Sequence, residues 1–423
     1  MKGAKEVVIT SDNSGDASNA TVWDPCTGST LLTYRNGGSL GYHTLQILHD
    51  SYVIAADATK PRFHVWPLNS QNPVPNLRLT TPGRVTSLSC SPIGSYIVAA
   101  VSEKLFVWQF TSGRLLCTLA RHYQTITCTS FTSDGSMFAS GAEDGLVFVW
   151  SLARTISRRD CEPIHSFSDH ILPIKDLCFS HFGPKARLVT ISLDRTARIY
   201  DSNSGSLLLN LIFDVPLSSV VIDPLENDLF IGCSNGNIQH IDLRSPPRGT
   251  EYHVQLTATE KNSNSIFRGH EASVVTLSLS ADRSTLLSGA TDGVVNIWDI
   301  RSRQVTRSIN LKGAVTSAFF TRATNNFQEN DLKPKLQMRG LQRISDEIGG
   351  YNFVEIITSH DASERLLNIQ SYVESNSGLD RSKDSDTQKL EEARAEVEKL
   401  KSINTAMYQY AAKCLLNKLT DPP

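Results

Sequence analysis

Three sets of residues in this chain carry the functional groups of a nucleophilic hydrolase: His270 with Asp292 and Ser288, His122 with Asp144 and Ser140, and His170 with Asp194 and Thr190. A carboxylate that orients an imidazole, and an imidazole that takes a proton from a hydroxyl, is the arrangement that makes an oxygen nucleophile. One such set would be an active-site candidate. Three sets at fixed spacing read differently. From His to hydroxyl to Asp to the next aromatic, the gaps are 18, 4 and 6 residues in His122, Ser140, Asp144 and Trp150. They are the same in His270, Ser288, Asp292 and Trp298, and 20, 4 and 6 in His170, Thr190, Asp194 and Tyr200. The recurrence points to an internal repeat in which these polar residues hold a fold together.

The elements that must position them repeat as well. A β-branched run ending in an aromatic and then a polar residue occurs as TVWD (21–24), FHVWP (63–67), LFVWQ (105–109), VFVWSL (147–152), ARIYD (197–201), IQHIDL (238–243) and VNIWDI (295–300), and all five Trp lie in these phrases. The steps from Trp23 to Trp66, Trp108 and Trp150 are 43, 42 and 42 residues, the period of a four-stranded propeller blade. Between phrases the text alternates like strands divided by turn residues, as in ITCTSFTSDGSMFASGAEDGLVFVW (126–150). Two later steps are longer, and the extra residues fall in polar insertions, 153–163 and 244–265, read as surface loops.

The expected fold is therefore all-β, a seven-bladed WD-repeat β-propeller. In that fold Asp accepts from the imidazole and from turn amides, and the hydroxyl relays between imidazole and indole, so buried donors are paired. Blades one, two, three and six lack the full set and are expected to rely on apolar packing. Room for only one strand before Trp23 leaves blade one short of its innermost strand. The run GAVTSAFF (313–320) is expected to complete it and seal the ring, giving a propeller over 1–322.

Residues 323–380 read as an irregular extension lying on the propeller, and its Lys333, Lys335, Arg339 and Arg343 read as a solvated basic stretch rather than an RNA contact. From 387 to 419 the pattern becomes helical, without Gly or Pro. Leu390, Val397, Leu400, Ile403, Asn404, Met407 and Tyr410 lie in or beside one apolar stripe, expected to pair as a coiled coil with a second copy or with a partner rather than to fold back on the propeller.

Composition narrows the classes. The 41 Lys and Arg against 43 Asp and Glu leave a formal net charge of −2, with no global pull toward nucleic acid or acidic lipid. Eight Cys stand singly, without C-x-x-C or zinc spacing, and read as reduced thiols of an intracellular protein. No signal peptide or membrane span is read, and no cofactor, metal or catalytic residue is assigned.

The strings LLTYR (31–35), RHYQ (121–124), LPIKDL (172–177), FRGH (267–270), SGATDGVVNIWD (288–299) and LKSIN (400–404) together resemble the WD repeat-containing protein 18 family. The resemblance implies a non-catalytic subunit of a nuclear complex, in nucleolus and nucleoplasm, that assembles on precursors of the large ribosomal subunit. Its implied partners are a proline- and leucine-rich scaffold protein, a HEAT-repeat protein and a midasin-type ATPase. Plant relatives imply a role in root initiation and meristem development. The competing reading is a substrate receptor of a cullin-based ubiquitin ligase, suggested by WDIR (298–301) and IDLR (241–244). An enzyme is the third class, with no phosphate loop, nucleophile elbow or metal-spaced ligand set behind it.

Overall fold

A computed structural model describes residues 6–15, 18–75, 77–157, 162–244, 249–254, 266–327, 338–343, 399, 401 and 402. The chain divides into two compact units, 1–353 and 354–423. The first is a seven-bladed β-propeller, each blade built on four antiparallel strands, with a fifth strand added to blade five.

Blade four shows why these residues form such a sheet. Its strands Ile126–Phe131, Met137–Ala142, Val147–Ser151 and His165–Phe167 pair in sequence order. The Thr132–Gly135 turn, with Gly135 at φ +73°, reverses the chain between the first two; this conformation suits glycine because it has no Cβ. Met137–Ala142 is buried along its whole length, as expected of a strand packed on both faces between neighbouring blades. Phe138, Phe148 and Trp150 join Val98, Val107 and Leu119 of blade three in one apolar cluster, so the core is a ring of such clusters at the seams between blades.

The ring closes through blade one. Strand Val315–Arg322 pairs antiparallel with Glu6–Asp12, which continues to Ser18–Trp23 and Thr30–Arg35. The innermost strand of blade one thus comes from the far end of the propeller sequence, leaving no open inner edge.

Two features depart from the sequence reading. The insertion at 153–163 begins with a short helix, Leu152–Ser157, in which Leu152 and Thr155 are buried. The insertion at 244–265 contributes strand Glu251–His253, which pairs in parallel with Leu207–Ile212 and widens blade five to five strands. Within the region read as an extension, residues 338–343 pack on blade three. In the second unit, 399, 401 and 402 are helical and exposed; Leu390, Val397, Leu400, Ile403, Asn404, Met407 and Tyr410 lie outside the described residues.

Candidate docking face and its polar supports

In blade four the His122 Nε2 lies 2.9 Å from the Ser140 hydroxyl, which accepts from the Trp150 indole at 3.1 Å. The Asp144 carboxylate lies 3.3 Å from His122 Nδ1 and accepts the backbone N–H groups of Tyr123 and Leu146, both at 2.9 Å. Blade seven repeats this with His270 to Ser288 and Trp298 to Ser288, each 2.7 Å. There Asp292 stands 3.4 Å from His270 Nδ1, and that nitrogen lacks a hydrogen bond of full geometry.

Blade five departs from the expected chain at its last link. His170 reaches Thr190 and Asp194 at 2.9 Å each, but the Tyr200 hydroxyl donates to Asp169 at 2.8 Å rather than to Thr190. A phenol carries its polar atom at the end of the ring, past the point where an indole N–H sits, so it reaches a carboxylate further along the seam.

These groups are the wrong place for hydrolysis. The hydroxyls of Ser140, Thr190 and Ser288 belong to fully buried residues, and each is already hydrogen-bonded to an imidazole. No substrate carbonyl reaches them. Nor do the inner thiols serve: burial pushes Cys90, Cys128 and Cys178 up and Cys233 up to about 12, so they stay protonated at neutral pH. Among the described residues no group of three or more His, Cys, Asp or Glu could hold a metal ion.

The remaining blades, where the sequence suggested mainly apolar packing, find other partners for their aromatics. The Trp23 indole donates to Thr10 Oγ1 at 2.8 Å, and Trp66 donates to the Arg35 carbonyl at 2.8 Å. Leu311 precedes the inner strand of blade one by four residues, as His122, His170 and His270 precede theirs. A cavity of about 230 Å³, lined by Thr10, Thr21, Trp23 and Leu311 among others, opens there. In blade six His240 pairs with Asp228 at 2.8 Å and stacks on Phe230.

Electrostatics follow from burial. Burial holds the His122 and His270 imidazoles below their ordinary value of 6.5, against the pull of Asp144 and Asp292. Burial alone would raise Asp194, but hydrogen bonds from His170 and Thr196 hold its carboxyl well below the usual range. A histidine kept neutral in the fold lets the unfolded chain take the proton first. Its stabilisation is therefore complete above about pH 6.5 and is lost as the pH falls below that value. Asp176, raised by burial, works in the opposite sense, so the effect is isolated by comparison with a double variant, His122→Asn/His270→Asn. In urea unfolding the advantage of the native chain over that variant is expected to shrink between pH 7.5 and 5.5; a gap that widens would contradict the assignment.

The polar chains also fix what lies beside them. Asp144 and Asp194 hold the backbone N–H of the residue following each histidine, Tyr123 and Ile171. Those two side chains are 79% and 86% exposed, and Leu172 beside them is 45% exposed. The two loops adjoin: Gly145, next to Asp144, has no Cβ, and one would crowd the carbonyls of His170 and Leu172. Blades four and five therefore present Tyr123, Ile171 and Leu172 together at one end of the ring, on anchored backbone. Large apolar side chains this exposed and this fixed are the composition of a protein-docking face. An exposed Arg121–Glu162 ion pair at 3.1 Å links the same loop to the approach of blade four's outer strand. Sequence reasoning passed over Tyr123 and Ile171. The available signal was an apolar residue directly after the histidine in RHYQ and DHILPI, where blade seven has Glu271.

Of the residues in the two Asp-x-Arg strings, Arg301 is exposed, and Arg244 is held by Asp242 at 3.0 Å.

Comparison with known proteins agrees with the geometry. The WD domain, G-beta repeat family model matches residues 113–151, 161–201 and 261–299, the stretches that contain the three His-to-aromatic sets. WD repeat-containing protein 18 of Danio rerio is 34% identical, covering 98% of this chain and 99% of that protein. The Homo sapiens protein of the same name is 38% identical over 80% of this chain and 78% of its own length. Pre-rRNA-processing protein IPI3 of Yarrowia lipolytica is 28% identical over 81% and 82%, and Pre-rRNA-processing protein pro-1 of Caenorhabditis elegans is 26% identical over 74% and 61%.

Proposed function

Since the chain belongs to the WD repeat-containing protein 18 family, we propose that it is a non-catalytic scaffold subunit of a nuclear complex that matures precursors of the large ribosomal subunit. Relatives named for pre-rRNA processing support that role and a nuclear, nucleolar setting. The observation that carries the scaffold reading is the pairing of fully buried polar groups with a fixed, exposed apolar trio, Tyr123, Ile171 and Leu172. Such a surface binds and does not turn over.

The partners in this reading are a proline- and leucine-rich scaffold protein, a HEAT-repeat protein and a midasin-type ATPase. Any RNA contact is indirect by default, because the net charge of −2 supplies no broad attraction to phosphate. The double variant Tyr123→Asp/Ile171→Asp puts two carboxylates on the docking face without touching a buried group. It is expected to keep the melting behaviour of the native protein and to lose the scaffold partner when the complex is purified from cells. Unchanged recovery of that partner would move the docking site elsewhere.

The segment 387–419 is proposed to join two copies as a coiled coil. Light scattering of the full chain is expected to give the mass of a dimer, and of a chain ending before Thr387 the mass of a folded monomer. A monomer in both would sink the homodimer.

A further inference from the structure

Blade three lacks the hydroxyl that serves the buried indole in blades four and seven. Ala99 stands opposite Phe106 where Ser140 stands opposite Phe148 and Ser288 opposite Asn296. Trp108 is nevertheless fully buried, and an unpaired indole N–H there would be costly. Its partner comes from 234 residues further along the chain: the N–H donates to the Gln342 backbone carbonyl at 2.8 Å.

The same glutamine makes two further bonds to blade three. Its backbone N–H donates to the Gly113 carbonyl at 2.8 Å, and its side-chain oxygen accepts the Leu115 N–H at 3.3 Å. Next to it the Arg343 Nε donates to Thr80 Oγ1 at 3.0 Å. Met338 and Leu341 pack against the cluster of Phe63, Leu79, Trp108 and Leu115, which spans blades two and three. The receiving surface is shaped for this. The outer strand of blade two is only the two residues Leu79–Thr80, and a Cβ on Gly113 would collide with the Gly340 carbonyl oxygen.

We infer that the outer edge between blades two and three is a peptide-binding groove, filled in cis by residues 338–343. Its ligand class is a short segment with two apolar side chains three residues apart and a glutamine directly after the second. The apolar pair packs on the cluster that joins blades two and three, and the glutamine reads blade three through one carbonyl, one N–H and one side-chain amide. The glutamine's bonds go to main-chain groups and an indole, so the groove selects backbone placement and the two apolar anchors. Occupancy completes blade three, and the seams of blades four to seven, which do not touch the segment, stand without it.

Hydrogen exchange on the full chain tests this. In the native protein the Leu115 and Gln342 amides are expected to be protected. In Met338→Asp/Leu341→Asp both should exchange faster, by about tenfold or more, while blades four, five and seven keep their protection. A synthetic peptide of residues 336–345 should restore protection at Leu115 saturably, and the same peptide with Gln342→Pro should not, because proline has no N–H for the Gly113 carbonyl. Gln342→Pro in the full chain gives a second variant with both apolar anchors intact. Free exchange at Leu115 in the native protein, no change in the variants, or no effect of added peptide would each overturn the groove. So would loss of protection throughout the propeller in both variants, which would make the segment inseparable from the fold.

Discussion

Replacing Trp298 with Ala is expected to lower the stability of the chain by about 3–5 kcal/mol, the cost of truncating a large buried aromatic. Three effects add. The side chain is 1% exposed and packs with Phe230, Ile238, Phe267, Val274 and Leu286, so its loss opens a cavity across the seam of blades six and seven. Its edge-to-face contact with Phe267, at 5.6 Å between ring centres, disappears. The Ser288 hydroxyl loses the indole N–H and keeps only the imidazole. An exposed aromatic gives the contrast: Tyr123→Ala is expected to stay within about 0.5 kcal/mol of the native protein. Urea unfolding of both variants checks the pair, and equal effects would mean that the seams do not carry the stability.

Val315→Asp is expected to do more, abolishing the closed ring. Val315 is fully buried and begins the closing strand, opposite Asp12 in blade one. It belongs to a cluster formed by Val8 of blade one and Leu287, Val295 and Ile309 of blade seven. A Cβ on Gly289 would press on its side chain, so the site has no slack. A carboxylate placed there has no cationic partner in that cluster, and the penalty exceeds about 4 kcal/mol, beyond the ordinary range for one substitution. Releasing the closing strand exposes the edge of Glu6–Asp12 and the inner strand of blade seven, so soluble aggregates are the expected product. Arg322→Asp, at the exposed end of the same strand, should be tolerated. Circular dichroism and size exclusion of the two variants separate the cases; a monomeric, cooperatively folded Val315→Asp protein would mean that closure does not depend on this contact.

Much of the propeller was legible because a blade is one supersecondary unit repeated, so its phrase, its turn residues and its period recur in the text. The aromatic steps of 42 and 43 residues mark the blade period, the seven phrases mark the blade number, and the gaps of 18, 4 and 6 residues mark the polar chains. What stayed hidden depends on contacts between distant residues. That Trp108 takes its acceptor from Gln342, and Trp66 from Arg35, follows from folding and from no local pattern, because any backbone carbonyl can serve. Strand Glu251–His253 is three exposed residues inside a polar insertion, too short to show alternation. Tyr200 was grouped with the tryptophans by position, and only the length of its side chain sends it to Asp169. The docking face was hidden for another reason: Tyr123 and Ile171 look like ordinary apolar residues until their exposure is known.

In the proposed role this propeller holds partners on pre-ribosomal particles and performs no chemistry of its own. The most direct measurement is to tag the full chain in cells, purify it under mild conditions and identify the RNA and protein that come with it. Precursors of the large-subunit ribosomal RNA still carrying spacer sequence, together with a HEAT-repeat protein and a midasin-type ATPase, are the predicted companions. Recovery of a cullin-ligase adaptor without any precursor ribosomal RNA would contradict the account, and would shift partner binding from the Tyr123 and Ile171 face to the Asp-x-Arg strings at 241–244 and 298–301.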